Sequence, residues 1–394
     1  MQRSDLKFKW LERLSDVDRE SWNALALPVE SPFLEWDWLQ LMESSGSTTT
    51  ATGWIPRHLT VWSGRELVAA APLYVKTHSA GEFVFDHAWA DVAGRLNRPY
   101  YPKLVGMSPF TPMIGYRFLM APDLDEAALT ERMLAETERF CRHHGLAGCS
   151  YHFVDPDWAG DIAERGFSSW AHQSFVWENE GLLSFEDYLS GFNANQRRNI
   201  RRERRRLARD GIRVDMIAGE ELSGELYERM HLFYVRTNDQ FGPWGCQYLT
   251  RDFFSMLPGR FRKRLVFAVA SEGSRREPIG MALLVTKRGQ LYGRYWGCAR
   301  EVEFLHFEAC YYRPIEWAVA CGIRRFDPGM GGGHKLRRGF RAVANYSLHR
   351  FMDPGLRQIM ERHIPAINRI EHEEIAALNR HLPLRNLTEP AAGK

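Results

Sequence analysis

A segment in the second half of the sequence carries a histidine, a carboxylate and an arginine that together could support proton transfer. It runs from Gln290 to Glu308 and includes Arg294 and His306. Either His306 or Glu308 could accept the proton that an amine nucleophile loses during attack. Each could equally be structural, as a buried histidine or a helix-capping glutamate. Both are therefore candidate catalytic residues, with the choice between them open.

Aromatic side chains accompany these groups. Alternation along a strand would place Arg294 and Trp296 on one face and Tyr295 on the other. On the following helix, Glu308 and Tyr312 are one turn apart and would share a face. We therefore expect Arg294 and the three aromatic residues to bind substrate, with the rings shaping a pocket for an amine acceptor.

A glycine-rich turn over residues 327–339 predicts an anion site, because glycine lets backbone amides approach an anion closely. A Walker A loop would need glycine before Lys335 and serine or threonine after it, and a Rossmann loop would need glycine at His334. The turn therefore specifies no nucleotide class, and a flexible surface turn is the alternative. The side chains expected to bind substrate here are His334, Lys335, Arg337 and Arg338.

The stretch from Asn193 to Arg213 is dominated by arginine. Ile200 and Leu207 are seven residues apart and predict one apolar face of a helix. Asn193 or Asn195 could cap its start, and Gly211 could end it. Such a helix suits a phosphate-rich partner, although a solvated helix that contacts nothing has the same pattern. The candidate nucleic-acid-binding residues are Arg197, Arg198, Arg201, Arg202 and Arg205.

The composition is that of a soluble globular protein, since 44% of the 394 residues are hydrophobic and 26% are charged. The net charge is only +3, so the basic character is local. The six cysteines form no CxxC pair or zinc-type spacing, and we expect no metal. No apolar run is long enough for a membrane span, which favours a cytoplasmic location. The oligomeric state does not follow from the sequence.

The length predicts two domains, and a recurrent pattern predicts that they are duplicates. Arg165-Gly166-Phe167 is followed by Ser174 with the same spacing that separates Arg338-Gly339-Phe340 from Ser347. The predicted limits are residues 1–190, a connecting arginine-rich helix at 191–213, and residues 214–394. We expect Gly81–Phe85 to be a strand. The irregular stretch 86–122 is typical of a binding loop.

The chain resembles the FemAB-like branch of the superfamily that includes the GNAT N-acetyltransferases. This resemblance is carried by SPFLEWDWL at 31–39, RRNIRRERRR at 197–206, YGRYWGC at 292–298, HFEACYY at 306–312 and GGHKLRRGF at 332–340. It implies an α/β (α+β) fold of tandem GNAT-like domains, each a mixed, mostly antiparallel sheet flanked by helices. The first half lacks a counterpart of the glycine turn, so we expect one active site, in the C-terminal domain.

The resemblance also implies an activity. Fem-type relatives transfer an amino acid from aminoacyl-tRNA to the amine of a peptidoglycan precursor, so amide formation on a precursor or a small molecule is expected. No tightly bound cofactor is implied; the co-substrate would be aminoacyl-tRNA or acyl-CoA. GNAT enzymes carry Arg/Gln-x-x-Gly-x-Gly/Ala at the pyrophosphate loop, and neither Gly329 nor Gly339 fits that pattern. A CoA-dependent N-acetyltransferase with a degenerate loop and a non-catalytic polyanion-binding scaffold are the alternatives.

Overall fold

A computed structural model describes residues 6–242, 245–274 and 277–385. Its strands are β1 (Leu6–Leu11), β2 (Trp54–Pro56), β3 (His58–Ser63), β4 (Glu66–Ala71), β5 (Leu73–Lys76), β6 (Lys103–Gly106), β7 (Leu119–Met120), β8 (Gly148–Tyr151), β9 (Ser168–Glu178), β10 (Ile212–Ala218), β11 (Leu265–Glu272), β12 (Gly280–Lys287), β13 (Gln290–Cys298), β14 (Arg325–Asp327) and β15 (Arg341–Phe351).

The helices alternate with these strands along the chain. They are α1 (Arg19–Ala26), α2 (Trp36–Ser44), α3 (His87–Arg95), α4 (Glu126–His143), α5 (Pro156–Glu164), α6 (Phe185–Ser190), α7 (Ala194–Arg209), α8 (Gly224–Gln240), α9 (Arg251–Arg260), α10 (Leu305–Phe307), α11 (Arg313–Ala320) and α12 (Pro354–Arg380). None of the helices in this part of the chain has the length and apolar character that a membrane crossing requires.

The chain forms two compact units, each assembled from three segments. The first unit comprises Met1–Gln173, Cys246–Arg264 and Ala344–His372, and the second comprises Ser174–Gly245, Leu265–Val343 and Glu373–Lys394. The arginine-rich helix α7 therefore belongs to the second unit. The sequence predicted domains that are each one continuous segment of the chain. Whether residues 1–190 and 214–394 fold independently stays a prediction.

The first unit contains two groups of paired strands. The order β1-β3-β4-β7 is antiparallel throughout. In the other group, β2 pairs with β5 and β5 with β6 in antiparallel fashion, β6 pairs parallel with β8, and β8 pairs antiparallel with the end of β15. A separate apolar cluster packs α3 against the start of α12 through Trp89, Ala93, Leu356 and Met360.

The second unit repeats this pattern of pairing. Strands β10, β11, β12 and β13 form an antiparallel meander, β13 pairs parallel with β14, and β14 pairs antiparallel with the end of β9. Strands β9 and β15, which the sequence repeat marks, each have 11 residues. The end of β9 belongs to the second unit, and the end of β15 belongs to the first. The predicted fold class, with mixed and mostly antiparallel sheets flanked by helices, is confirmed.

Two local predictions were wrong. Gly81–Phe85 forms no strand, because Phe83 and Phe85 have φ angles of 57° and 54°, a left-handed conformation that interrupts an extended chain. The stretch 86–122 is more regular than predicted. It contains helix α3 and strand β6, whose ordered structure was hidden from the sequence pattern by glycine, proline and scattered aromatic residues.

Candidate functional site

The arginine-rich helix α7 starts and ends as its sequence predicts. The side chain of Asn193 accepts a hydrogen bond from the amide of Gln196 at 2.9 Å, and Gly211 follows the helix with a φ angle of 70°. One face is buried and consists of Gln196, Ile200, Glu203 and Leu207. The helix is thus anchored to the second unit along this buried face.

This buried face contacts the glycine-rich turn. Gln196 donates to the carbonyl of Arg337 at 2.7 Å, and the guanidinium of Arg338 lies 3.3 Å from Glu203. The hydroxyl of Tyr312 donates to the same Glu203 carboxylate at 2.6 Å. Helix α7 and the glycine-rich turn are therefore packed together within one unit, through a carboxylate that two partners share.

A second face of α7 carries arginines whose side chains already have partners. Arg204 donates to both carboxylate oxygens of Glu308, at 2.9 to 3.1 Å, and to Glu316 at 2.7 Å. Arg201 forms an ion pair with Glu186, and Arg197 donates to the carbonyl of Phe192. These arginines position neighbouring elements.

A third face of α7 remains open to solvent and is cationic over its whole length. Arg198, Arg202, Arg205 and Arg209 are all exposed and are spaced by four, three and four residues, so they form one stripe of about 16 Å. Within the described residues, no carboxylate lies within ion-pair distance of these four guanidinium groups. We call this set the arginine stripe.

Beside the second face lies a cleft of about 570 Å³ within the second unit. Arg201, Arg204, Arg205, Arg213 and Arg313 line it, together with Glu308. The lining arginines outnumber the lining carboxylates by five to three, so the cleft favours an anionic group.

Glu308 opens a π-helical turn, Glu308–Tyr312, between α10 and α11. Glu308 and Tyr312, which the sequence predicts on one face of a helix, both contact α7 through neighbouring residues. Glu308 lies against Arg204, whereas Tyr312 reaches Glu203. Burial raises the pKa of Glu308 above its usual value, even though the bound Arg204 guanidinium opposes that rise.

His306 lies among aromatic and imidazole rings. Its ring centroid is 5.5 Å from that of Trp296, 5.4 Å from that of Tyr311 and 5.8 Å from that of His334. Burial, followed by the positive charges of neighbouring side chains, lowers the pKa of His306 to about 4, so the ring is neutral at pH 7. No hydrogen-bond partner for its ring nitrogens lies within the described residues, whereas Nε2 of His334 contacts the Tyr311 hydroxyl at 2.9 Å.

Strand β13 carries a bulge at the predicted substrate-binding residues. Leu283 pairs with Tyr295 and Leu284 with Gly293, so Arg294 has no residue opposite it. The bulge breaks the simple alternation that the sequence predicts, and the Arg294 guanidinium lies over the Tyr295 ring, 4.8 Å from its centroid. Bulges of this kind often redirect side chains at functional sites.

Strands β13 and β14 are parallel, and their pairing covers only residues 290–292 and 325–327. The carboxyl end of β14 therefore lies beside Tyr292, and β13 continues beyond this point to Cys298. The bulge on β13 and the glycine turn after β14 both follow this point along the chain.

The cationic side chains of the glycine-rich turn differ in their exposure. The Lys335 ammonium is buried and donates to the carbonyls of Gly329 and Met330 at 2.5 and 3.0 Å. Arg338 is buried over the ring of Phe307, whereas Arg337 is exposed. Burial lowers the pKa of Lys335 to about 8. A phosphate role for Lys335 and Arg338 stays a prediction, and it would require these contacts to be exchanged.

The sequence reasoning missed several residues that organise the site: Glu203, Arg204, Tyr311 and Glu316. One signal for Glu203 was present. It is the only acidic residue of helix α7 and lies between Ile200 and Leu207 at the spacing of a buried helix face. A carboxylate on an apolar face predicts a buried cation partner, which is Arg338.

Comparisons with known proteins agree with this architecture. FemX has a similar structure, with a TM-score of 0.52 and 12% sequence identity. The match covers 90% of this chain and 100% of the FemX chain. L-PGS from Bacillus licheniformis is also similar, with a TM-score of 0.52 and 11% sequence identity. The match covers 93% of this chain and 98% of the L-PGS chain. At this identity, the likeness shows a shared fold.

No curated protein matches the chain in sequence. A family profile does match, and it spans residues 13–386, which is nearly the whole length. The protein is therefore a member of the FemAB-like family, which is described as peptidoglycan biosynthesis/recognition.

Proposed function

We propose that the protein is an N-acyltransferase that joins an activated acyl group to an amine, with aminoacyl-tRNA as the favoured donor. The observation that carries the proposal is the arginine stripe beside the arginine-lined cleft. Four exposed guanidinium groups along about 16 Å suit consecutive backbone phosphates of a nucleic acid. Acyl-CoA offers fewer phosphates, and the sequence lacks the GNAT pyrophosphate loop that would bind them.

The chemistry depends mainly on holding the activated ester against the amine. When the amine attacks, its nitrogen becomes positively charged and its proton becomes acidic. The imidazole of His306 is neutral at pH 7 and can accept this proton, although its low pKa makes it a weak base. Glu308 is the alternative acceptor, but its carboxylate is already held by Arg204. The geometry therefore favours His306 over Glu308.

The acceptor pocket would form around His306. Trp296 and Tyr311 flank the imidazole, and His334 holds the Tyr311 hydroxyl. An amine entering there would meet aromatic faces and a neutral base. The family description makes an amine of a peptidoglycan precursor the first acceptor to test, followed by small-molecule amines.

A transfer assay tests the reaction directly. Radiolabelled aminoacyl-tRNA and acyl-CoA are offered separately with a panel of amine acceptors, and amide product is measured. We expect product from charged tRNA, and we expect His306→Gln to lower kcat by about 10²-fold or more, as for loss of a general base. Product from acyl-CoA alone would identify the alternative CoA-dependent enzyme. Tight tRNA binding without turnover from either donor would favour the non-catalytic scaffold.

A binding assay tests the tRNA assignment separately. The variant Arg198→Gln/Arg202→Gln/Arg209→Gln removes three charges from the arginine stripe. We expect weaker tRNA binding and a log-log salt slope that is smaller by about 2 to 3. The control Arg206→Gln/Arg300→Gln/Arg341→Gln removes three exposed charges that already form ion pairs. Equal effects of the two triple variants would show that the stripe is not the contact surface.

A further inference from the structure

A cation lies between two carboxylates in the interior of the first unit. The Lys103 ammonium is 2.9 Å from Glu82 and 2.5 Å from Asp86, and all three side chains are 1% exposed. Tyr100 also donates to Asp86, at 2.8 Å, and Nε2 of His152 lies 3.2 Å from Glu82. None of these residues belongs to the site described above.

This cluster is held together by opposite charges. Burial tends to raise the pKa of Glu82 and of Asp86, but the Lys103 ammonium and hydrogen bonds outweigh it, so both values lie below normal. Burial opposes the charged form of Lys103, yet the two carboxylates raise its pKa well above the usual value. Two carboxylates therefore face one ammonium, and a buried uncompensated charge is costly.

Two buried polar atoms in the cluster have no hydrogen-bond partner. Ionised Glu82 can only accept, so Nε2 of His152 donates to it, and Nδ1 is the other ring nitrogen. Within the described residues, this Nδ1 and Oδ1 of Asp86 have no hydrogen-bond partner, and both residues are at most 1% exposed. Buried polar atoms are rarely left unpaired.

Other basic groups nearby are committed elsewhere. Lys76 is fully buried, but its ammonium donates to the carbonyl of Ala80 at 3.2 Å and lies over the Trp54 ring. Burial lowers the pKa of Lys76 to about 7. Both ring nitrogens of His349 contact serine hydroxyls, of Ser150 and Ser347. These groups do not supply the missing donors.

The backbone around the carboxylates departs from ordinary preferences. Phe83 and Phe85 alternate with the inward-facing residues and both have left-handed φ angles, a strain that often marks functional sites. Asp86 occupies the N-cap of helix α3, but its side chain makes no capping hydrogen bond. The carboxylate thus points to Lys103 instead of stabilising the helix.

We propose that this cluster of Glu82, Asp86, Lys103 and His152 is a binding site for a protonated primary amine. An ammonium group brings one positive charge and three N–H donors, which match the second carboxylate, the unpaired Oδ1 of Asp86 and an unprotonated Nδ1 of His152. Tyr101 is half-buried and its hydroxyl lies 3.4 Å from Glu82 and 3.5 Å from Asp86, so its side chain forms the outer wall through which the amine would enter. The inference concerns binding and stands without the transfer reaction.

The test uses the full-length protein labelled with nitrogen-15 in its histidines. Nδ1 of His152 is assigned by its absence in His152→Gln, and n-butylamine is titrated at pH 7 with n-butanol and butyltrimethylammonium as controls. We expect only n-butylamine to shift the Nδ1 signal saturably, because only it combines charge with N–H donors. No shift with n-butylamine would overturn the proposal. So would finding both ring nitrogens protonated without any amine, since the imidazolium would then balance the charge itself.

A variant pair locates the site. Asp86→Asn keeps the shape but removes the charge, and we expect it to weaken n-butylamine binding at least tenfold. Asp125→Asn is the matched control, since Asp125 caps helix α4 in the same unit and should leave binding unchanged. Equal affinity of Asp86→Asn and the native protein would contradict the assignment. If Asp86→Asn fails to fold, the titration of the native protein decides alone.

Discussion

Each compact unit holds a cation between two carboxylates, and the two triads differ in their contact with water. Lys103, Glu82 and Asp86 in the first unit are each 1% exposed. In the second unit, the side chains of Arg204, Glu308 and Glu316 are 26%, 10% and 33% exposed. The same arrangement of charges therefore experiences two dielectric environments.

This difference separates two ways of using charge. In the first unit the charges interact strongly because water is excluded, but any imbalance must be met by a specific partner. In the second unit water screens the charges, so Arg204 can exchange partners at modest cost when an anion enters the cleft. The first arrangement suits selective recognition of a cation, and the second suits transient binding of phosphates.

Replacing the cation of the buried triad should have the largest effect on stability. Lys103→Met retains much of the side-chain volume but leaves Glu82 and Asp86 facing each other without an ammonium group. Removing one partner of a buried ion pair typically lowers the free energy of unfolding by about 3 to 5 kcal/mol. Urea denaturation at pH 7 measures this loss. A loss below about 1 kcal/mol would mean that water reaches the triad, and the comparison would fail.

The matched change in the second unit should have a smaller effect. Arg204→Met removes the hydrogen bonds to Glu308 and Glu316, but Glu316 is partly exposed to water and keeps its ion pair with Arg313. We expect the free energy of unfolding to fall by about 2 kcal/mol, as for a partly buried charged hydrogen bond. Arg206→Met, which removes an exposed ion pair from the same helix, should change it by less than about 0.5 kcal/mol. If Arg204→Met were as damaging as Lys103→Met, the two triads would not differ as proposed.

The arginine-rich helix shows what local pattern can establish. Its cap residue, its apolar spacing and its terminal glycine all act within a few residues, so the start and end of α7 were predicted correctly. The division of its arginines into paired and open faces was not predicted. That division depends on Glu186, Glu308 and Glu316, which are brought to the helix by tertiary packing.

The buried triad shows where local pattern fails. Glu82 and His152 are 70 residues apart in sequence, and Asp86 and Lys103 are 17 apart. Their meeting depends on the pairing of β6 with β8 and on left-handed residues that no periodicity signals. The sequence marked 86–122 as a binding segment because it was irregular. The structure contains a buried ion cluster there instead of an open loop.

The smallest effect that we predict concerns the pH dependence of the second unit. Burial lowers the pKa of His306 to about 4 from 6.5, so between these values the unfolded chain binds a proton that the folded chain does not. This histidine therefore makes stability fall as the pH drops below 6.5. His306→Gln removes the contribution of this histidine to the pH dependence of stability. Between about pH 7 and 5.5, the variant should therefore lose about 1 kcal/mol less of its free energy of unfolding than the native protein.

Urea denaturation of the native protein and of His306→Gln at both pH values measures this difference. His172→Gln is the counterpart in the first unit, where burial lowers the pKa of His172 to about 3 and the sign is the same. His172 contacts the Ser347 hydroxyl at 2.7 Å, so its loss should also lower stability at pH 7. No residue in the part of the chain that the structure describes forms such a hydrogen bond with His306. Parallel pH profiles for His306→Gln and the native protein would show that the His306 ring titrates as it does in the unfolded chain. A neutral imidazole would then be unavailable below pH 6.5, and the preference for His306 over Glu308 as proton acceptor would lose its basis there.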